Sequence, residues 1–445
     1  SAASDVYKRQ ALVMALSLVA CGDKQDDAAD NNGDTATGSV YWLNFKPEAD
    51  ATLQKVAAMY TEKTGVPVTV VTAASGTYNE TLTAEMDKSA PPTLFVVGNQ
   101  AAVETWGDYC YNLSGTDIAN QLNTDAYNLY DADGKLCSIG YCYECYGIIV
   151  NEDLLEKAGY TLGDITNFET LKAVAEDIHA RASELGFDAF TSSSMSDDSS
   201  WRFTGHLANL EYYYESVDDP DAWKECPSSI KGTYMQNYKN LWDLYINNSC
   251  TAPGLLGSKS VDDSMAEFAL GQAAMVQNGN WGWSQINGVE GNTVKAEDVK
   301  FLPIYTGVEG EENQGLCTGT ENFFCINKEA SAEDQAASIA FVEWLFSSET
   351  GKAAVTNDLG FIAPFDTFSD DEKPTDPLAQ EVLRYMADTS KTSVSWNFTS
   401  FPSQQFKDDF GAALLEYASG SIDWDAVKTK VVDEWAAEKA ATAAN

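Results

Sequence analysis

Val66-Pro67-Val68-Thr69-Val70-Val71 is the stretch on which the fold turns. Its β-branched residues read as a strand, and segments of a different period flank it on both sides. Before it, Leu53, Val56, Ala57 and Tyr60 fall on one face of a helix over 48–64 that Gly65 closes. After it, Ser75-Gly76 turns the chain into a helix over 78–88. Working outward, a strand over 39–45 and another over 93–97, behind Pro91-Pro92, complete a β-α-β-α-β order. That order predicts a mostly parallel sheet with helices on both faces, and ligands in such sheets sit beyond the carboxyl ends of the strands. The loops that start at Asn44, Ala73 and Gly98 are therefore cleft candidates, and they bring Asn44, Lys46, Tyr78, Asn99 and Gln100 into view.

Farther on, residues 139–150 read as one strand leading into a short helix closed by Gly159. Apolar residues then recur at helical spacing over 168–185, 201–213, 230–247, 264–270, 332–346, 377–387, 403–419 and 422–440. Some 400 residues follow the N-terminal region, too many for one core and suited to two lobes of ordinary size. With 27 basic against 68 acidic residues the net charge is −41, which disfavours nucleic acid and anionic membrane surfaces as partners and favours a monomer kept soluble by charge.

Lys8-Arg9 precede an apolar run over 11–20 that ends in Leu18-Val19-Ala20-Cys21. The run is too short to span a bilayer and reads as a lipoprotein signal, with Cys21 as the lipidated residue. Residues 22–38, rich in Asp, Asn, Ala, Thr and Gly, read as a solvated tether. Eight cysteines remain, at 110, 137, 142, 145, 226, 250, 317 and 325. They can pair fully outside the cell or stay reduced in an oxygen-free habitat, and their 105 connectivities are left open. A bond between Cys226 and Cys250 is disfavoured, because one continuous helix between them would be about 30 Å long. No metal is expected: the cluster of Cys137, Cys142 and Cys145 with Cys110 lacks a pair of Cys-x-x-Cys knuckles and has no His near, and the loop opened by Asp131-Ala-Asp133-Gly134 carries Cys142 where calcium needs a bidentate Glu. His179 and His206 read as structural or surface residues.

The segment Phe268 to Trp283 compresses a helix end at Gly271, an apolar strand over 273–276, a turn at Asn278-Gly279 and a helix start bearing Trp281. It resembles a segment of the family 1 extracellular solute-binding proteins, the capture subunits of carbohydrate importers of the ABC type. Tyr143-Glu144-Cys-Tyr-Gly-Ile-Ile-Val-Asn151 resembles that family's crossing from one lobe to the other, and Trp201-Arg-Phe-Thr a second aromatic position. Asn44-Phe-Lys46 is similar to the family's first cleft loop with the spacing off by one. Asn99-Gln100 stand where its maltose-binding members carry Asp then Arg.

The resemblance implies a two-lobed, type II periplasmic-binding α/β fold with a cleft between lobes. Residues 39–143 and 321–360 would build lobe 1, and 144–320 and 361–445 lobe 2, with hinges near 143–146, 318–322 and 360. It implies a carbohydrate ligand, ABC permease subunits as partners, no cofactor, and a lipid anchor on the outer face of a bacterial cytoplasmic membrane. That face is extracellular in a Gram-positive cell and periplasmic otherwise. Sugars present hydroxyl rims and apolar faces, which hydrogen-bonding side chains and flat rings answer. Trp281, Trp201 and Trp396 are the expected rings, with Phe398 and Phe401 near the last; Trp283 and Trp106 are expected in cores, since residues two apart on a helix do not share a face. Asn280, Glu144 and Glu321 are expected to bind hydroxyls, Glu321 following a loop over 315–320. Two other readings stay open: a glycoside hydrolase using a carboxylate pair, and a glycan-binding adhesin or sensor subunit.

Overall fold

The computed structural model describes residues 38–442 apart from 197–198 and 224–225, so the apolar run, Cys21 and nearly all of the tether lie outside the described residues. Twelve strands are described: β1 Val40–Asn44, β2 Val68–Thr72, β3 Leu94–Val97, β4 Asn128–Tyr130, β5 Leu136–Gly140, β6 Glu144–Asn151, β7 Asp188–Phe190, β8 Ala273–Gly279, β9 Val299–Leu302, β10 Gln314–Gly319, β11 Phe323–Ile326 and β12 Thr392–Ser395. They form two sheets. One runs β2-β1-β3-β11-β5-β4; the other runs β12-β10-β6-β8-β7, with β9 also on β6.

The alternation around residues 66–71 does what its period predicts. β1 pairs in parallel with β2 and β3, and the helix Asp50–Thr64 crosses between the first two with Leu53, Val56, Ala57 and Tyr60 inward. Gly65 ends that helix at φ 76°, a left-handed position that costs glycine nothing. Each sheet as a whole is mixed rather than mostly parallel. β11 runs antiparallel to β3 and β5, and β6 runs antiparallel to β8, β9 and β10, because the chain enters each sheet from the other and arrives in the reverse direction.

The crossings explain three differences from the sequence reading. Residues 139–150 make two strands, since β5 ends in one sheet and β6 begins in the other, with residues 141–143 between. The expected loop over 315–320 is mostly β10, which lies between β6 and β12. After β11 and the helix Ala332–Ser347, the chain stays with the first core longer than the expected boundary at 360. Phe361 packs on Tyr141 at 5.9 Å and Phe365 on Phe346 at 4.8 Å in the first core, while Ile362 between them packs on the cluster that holds Leu378. Similarly, the helix before Cys250 covers only Met235–Asn247. All eight described cysteines are free thiols. No helix among the described residues is long and apolar enough to cross a membrane.

Asp376 caps the helix Pro377–Ala387, accepting from the backbone N–H of Leu378 at 2.9 Å and Ala379 at 3.0 Å. Burial outweighs those bonds and pushes its carboxyl up from 3.8 to about 6. A carboxyl raised on folding favours the folded state when protonated, so its contribution is full below the unfolded value and is lost as pH rises through the folded one. Asp376→Asn keeps the cap acceptor without the charge. Relative to the parent it is expected to gain stability as pH rises from about 4 to about 6, the range bounded by the two values; urea midpoints of both proteins at each pH check this.

Candidate functional site

One end of the site is held by the loop that leaves β1. Asn44, fully buried, folds the loop on itself: its Oδ1 accepts from the Lys46 N–H at 3.0 Å, and its amide donates to the Lys46 carbonyl at 2.8 Å and to Thr72 Oγ1 at 3.0 Å. The loop thus aims Lys46 across to the first residue of β6. Its ammonium donates to Glu144 Oε1 at 2.6 Å and pairs with Glu48 at 2.9 Å. Glu144 Oε2 accepts from Asn322 Nδ2 at 2.7 Å, so both oxygens are engaged by protein. Lys46 and Glu144 are each 5 % exposed. Burial pulls the Lys46 ammonium down, but Glu144 and Glu48 outweigh it and hold it well above the usual lysine range. The same ammonium lies 5.6 Å from the ring centre of Trp281 and 5.7 Å from that of Phe361.

The other end is aromatic. Trp281 follows β8 in a short 3₁₀ turn, Asn280–Gly282, and is half-buried. Around it stand Trp201 and Trp396 with ring centres at 6.4 Å each, and His206 at 5.6 Å. His206 stacks on Tyr146 at 3.9 Å with the planes 4° apart, and Tyr146 lies 5.6 Å from Trp396. Burial first, then the charges of Arg202 and Lys407, hold His206 well below the usual histidine range, so it serves as a neutral ring.

Two glycines make room for this cage. A Cβ at Gly279 would meet the Trp281 ring at 2.2 Å, and one at Gly319 would meet the Trp396 ring at 2.6 Å, so each tryptophan takes the space a strand side chain would fill. Gly279→Ala is expected to displace the Trp281 ring, at a cost of about 1–3 kcal/mol. A shift in tryptophan emission together with a lower unfolding midpoint checks it.

Local geometry explains why Trp201 and His206 meet. Residues Arg202–Leu207 form a π-helical turn, in which residues five apart come to one side, and the two rings touch edge-on at 4.9 Å. Arg202, fully buried, anchors the turn to β8 by donating to the Gln277 carbonyl at 2.9 Å and to Ser264 Oγ at 3.1 Å, and reaches the Ser193 carbonyl at 2.8 Å. No linear spacing announces a π turn, which is why His206 and Tyr146 escaped the sequence reading.

The remaining expected residues divide. Asn280 lines the cleft beside Lys46, Glu48, Glu144 and Trp281, while its Oδ1 accepts from the Cys145 N–H at 2.9 Å. Glu321 is half-buried at the second crossing against Gly98; burial raises its carboxyl, opposed by Lys407 and Lys46. Asn99 caps the helix Gln100–Trp106, and its amide reaches the Thr399 carbonyl at 2.6 Å, tying the first lobe to the stretch after Trp396. Two fall outside the group. Tyr78 is buried in the first core, its hydroxyl donating to the Leu43 carbonyl at 3.3 Å and accepting from the Val96 N–H at 2.7 Å, because the ring sits between β1 and β3. Gln100 is exposed and donates to the Tyr130 carbonyl at 2.6 Å. Trp283 packs against the cluster that holds Phe268 and Val276, and Trp281 against another, in keeping with their two-residue offset.

Two lobes, each a mixed sheet flanked by helices, with a cleft lined from both sides, define the periplasmic-binding type of fold. A family model described as bacterial extracellular solute-binding protein matches residues 55–381, and the chain belongs to that family. No curated protein matches the chain. Among solved structures, the solute-binding protein RafE in complex with raffinose is similar with a TM-score of 0.70 at 16 % identity, covering 91 % of this chain and 100 % of that one. A chitin oligosaccharide binding protein gives 0.67 at 17 %, covering 91 % and 99 %. A family 1 extracellular solute-binding protein from Bifidobacterium longum subsp. infantis gives 0.58 at 21 %, covering 90 % and 99 %.

Proposed function

We propose that this protein captures a sugar, of oligosaccharide size, between its two lobes as the solute-binding subunit of an ABC importer. The observation that carries the reading is the cage of Trp201, Trp281 and Trp396 at the cleft, with charged and amide groups at its edge. Flat rings answer the apolar faces of sugar rings, and carboxylates, amides and an ammonium answer their hydroxyls. Several rings suit more than one sugar unit. The structures similar in fold include complexes with raffinose and stachyose, which supports the class without choosing a member. Closure of the lobes would exclude water, strengthen each hydrogen bond and present a surface to a membrane permease. Lipid on Cys21 would hold the protein at the outer face of the membrane.

Glu144 has both oxygens committed to Lys46 and Asn322, which suits a structural carboxylate better than the acid or nucleophile of a hydrolase. The test is a thermal-shift screen of the protein against mono- and oligosaccharides with product analysis on every hit. Stabilisation by a sugar recovered intact is the expected result. Recovered fragments would make the protein a hydrolase, and silence across all sugars would remove the sugar reading.

A further inference from the structure

The helix that continues from the π turn of the cage, Ala208–Asp218, buries two carboxyl groups one turn apart, Glu211 at 3 % and Glu215 at 4 % exposed. Both grip the same turn of chain. Glu215 accepts from the Lys231 N–H at 3.1 Å on one oxygen and from the Thr233 N–H at 2.7 Å on the other. Glu211 Oε1 accepts from the next N–H, that of Tyr234, at 2.9 Å. Donors on adjoining residues thus set the two carboxyls side by side. On its far side the turn is pressed against the helix Trp424–Thr442: Gly232 sits at φ 64°, where a Cβ would meet Lys428 Cε and Val432 Cγ2 at 3.1 Å each.

The remaining carboxyl oxygen, Glu211 Oε2, is buried with no hydrogen-bond partner. An ionised carboxylate there would leave an acceptor unsatisfied in a dry interior and set two negative charges one helical turn apart. A proton on that oxygen removes both costs, because it makes Oε2 a donor with the Glu215 carboxylate as the acceptor in reach. Glu215, accepting on both oxygens, keeps the charge. The groups around the pair do not replace the proton. Lys231 turns its ammonium to Asp219 at 3.2 Å, and Tyr234 gives its hydroxyl to Asp218 at 2.7 Å. Burial keeps Tyr212 and Tyr238 as neutral phenols. Burial first and then the charge of Glu215 raise the Glu211 carboxyl well above the usual carboxylate range, against the Tyr234 N–H and the charge of Lys428.

We propose that Glu211 and Glu215 hold one proton between them, and that this proton is a latch fastening residues 231–234 to the helix that continues from Trp201 and His206. Raising the pH breaks the Glu211 O–H bond, hands the proton to water and leaves two carboxylates that repel, so the turn loosens from the helix. The latch needs no ligand, and its test is independent of the sugar reading.

Urea unfolding of the full chain from about pH 3 to about pH 9 compares the parent with Glu211→Gln, whose amide supplies the donor and the acceptor of the protonated acid at every pH. A carboxyl raised on folding contributes stability that is full below its unfolded value and is lost as pH rises through the folded one. The ratio of the parent's unfolding constant to the variant's is therefore expected to be constant below about pH 4 and to climb by up to about tenfold per pH unit above it, levelling once the folded state gives up the proton. Other titrating groups, Asp376 among them, are common to both proteins and cancel. Over the same range, hydrogen exchange at residues 231–234 is expected to quicken in the parent relative to the variant, while exchange along β8 keeps pace in the two. A ratio independent of pH overturns the latch, because no proton is then taken up at Glu211 on folding. A climbing ratio with unchanged exchange at 231–234 overturns it too, since the proton then fastens nothing. So does a Glu211→Gln chain that fails to fold at about pH 5 where the parent folds, since the amide keeps every bond of the protonated pair.

Discussion

Trp281→Ala is expected to weaken sugar binding by about 30- to 150-fold while leaving the unliganded protein folded. The size follows from area: a sugar face covering the open side of the ring removes on the order of 100 Å² of apolar surface from water, worth about 2–3 kcal/mol. The ring is well placed for this, because it is half-buried, seated against Gly279 and centred among Trp201, Trp396, His206 and the Lys46 ammonium. Stability is affected less, since a partly exposed ring takes fewer packing contacts with it than a core residue does. Calorimetric titration with a sugar that stabilises the parent, beside thermal unfolding without sugar, separates the two effects. Unchanged affinity would mean that the ligand sits elsewhere than the cage.

How much of this was legible depends on whether the cause was local. The helix Asp50–Thr64 and its Gly65 stop rest on periodicity and on a left-handed cap, both written within a few residues, and they emerge as the sequence predicts. The Trp281 segment is equally local. The division of residues 139–150 into β5 and β6 is not, since nothing in an unbroken apolar run marks the point where a strand leaves one sheet for another. Tyr78 illustrates the same limit: a tyrosine at a helix start beside a cleft loop can face either way, and the buried N–H of Val96 decides it. His206 needed a π turn to reach Trp201. Residue types were readable; their convergence from six distant segments was not.

Glu144→Ala is expected to act first on folding, lowering stability by about 3–5 kcal/mol, because removing one partner of a buried ion pair leaves the other charge without its compensation. Lys46 keeps Glu48 at 2.9 Å, which places the loss toward the lower end, while Asn322 loses the acceptor that takes its amide. The position makes the effect wide in reach: Glu144 opens β6 and pairs with Gly319 at the end of β10, while Asn322 stands just before β11, so one carboxylate ties together two crossings and the β1 loop. Lys46→Met combined with Glu144→Leu removes both charges and is expected to recover much of the lost stability, since apolar groups of similar volume avoid the desolvation of the pair. Chemical unfolding of the parent, Glu144→Ala and the double variant gives the three numbers. The comparison with Trp281→Ala then assigns the residue's role. A variant that loses stability, yet binds sugar nearly as well as the parent at temperatures where it is folded, makes Glu144 a structural tie at the crossings. Loss of binding at full stability would instead mean that the ligand displaces Lys46 or Asn322 and takes the carboxylate for itself.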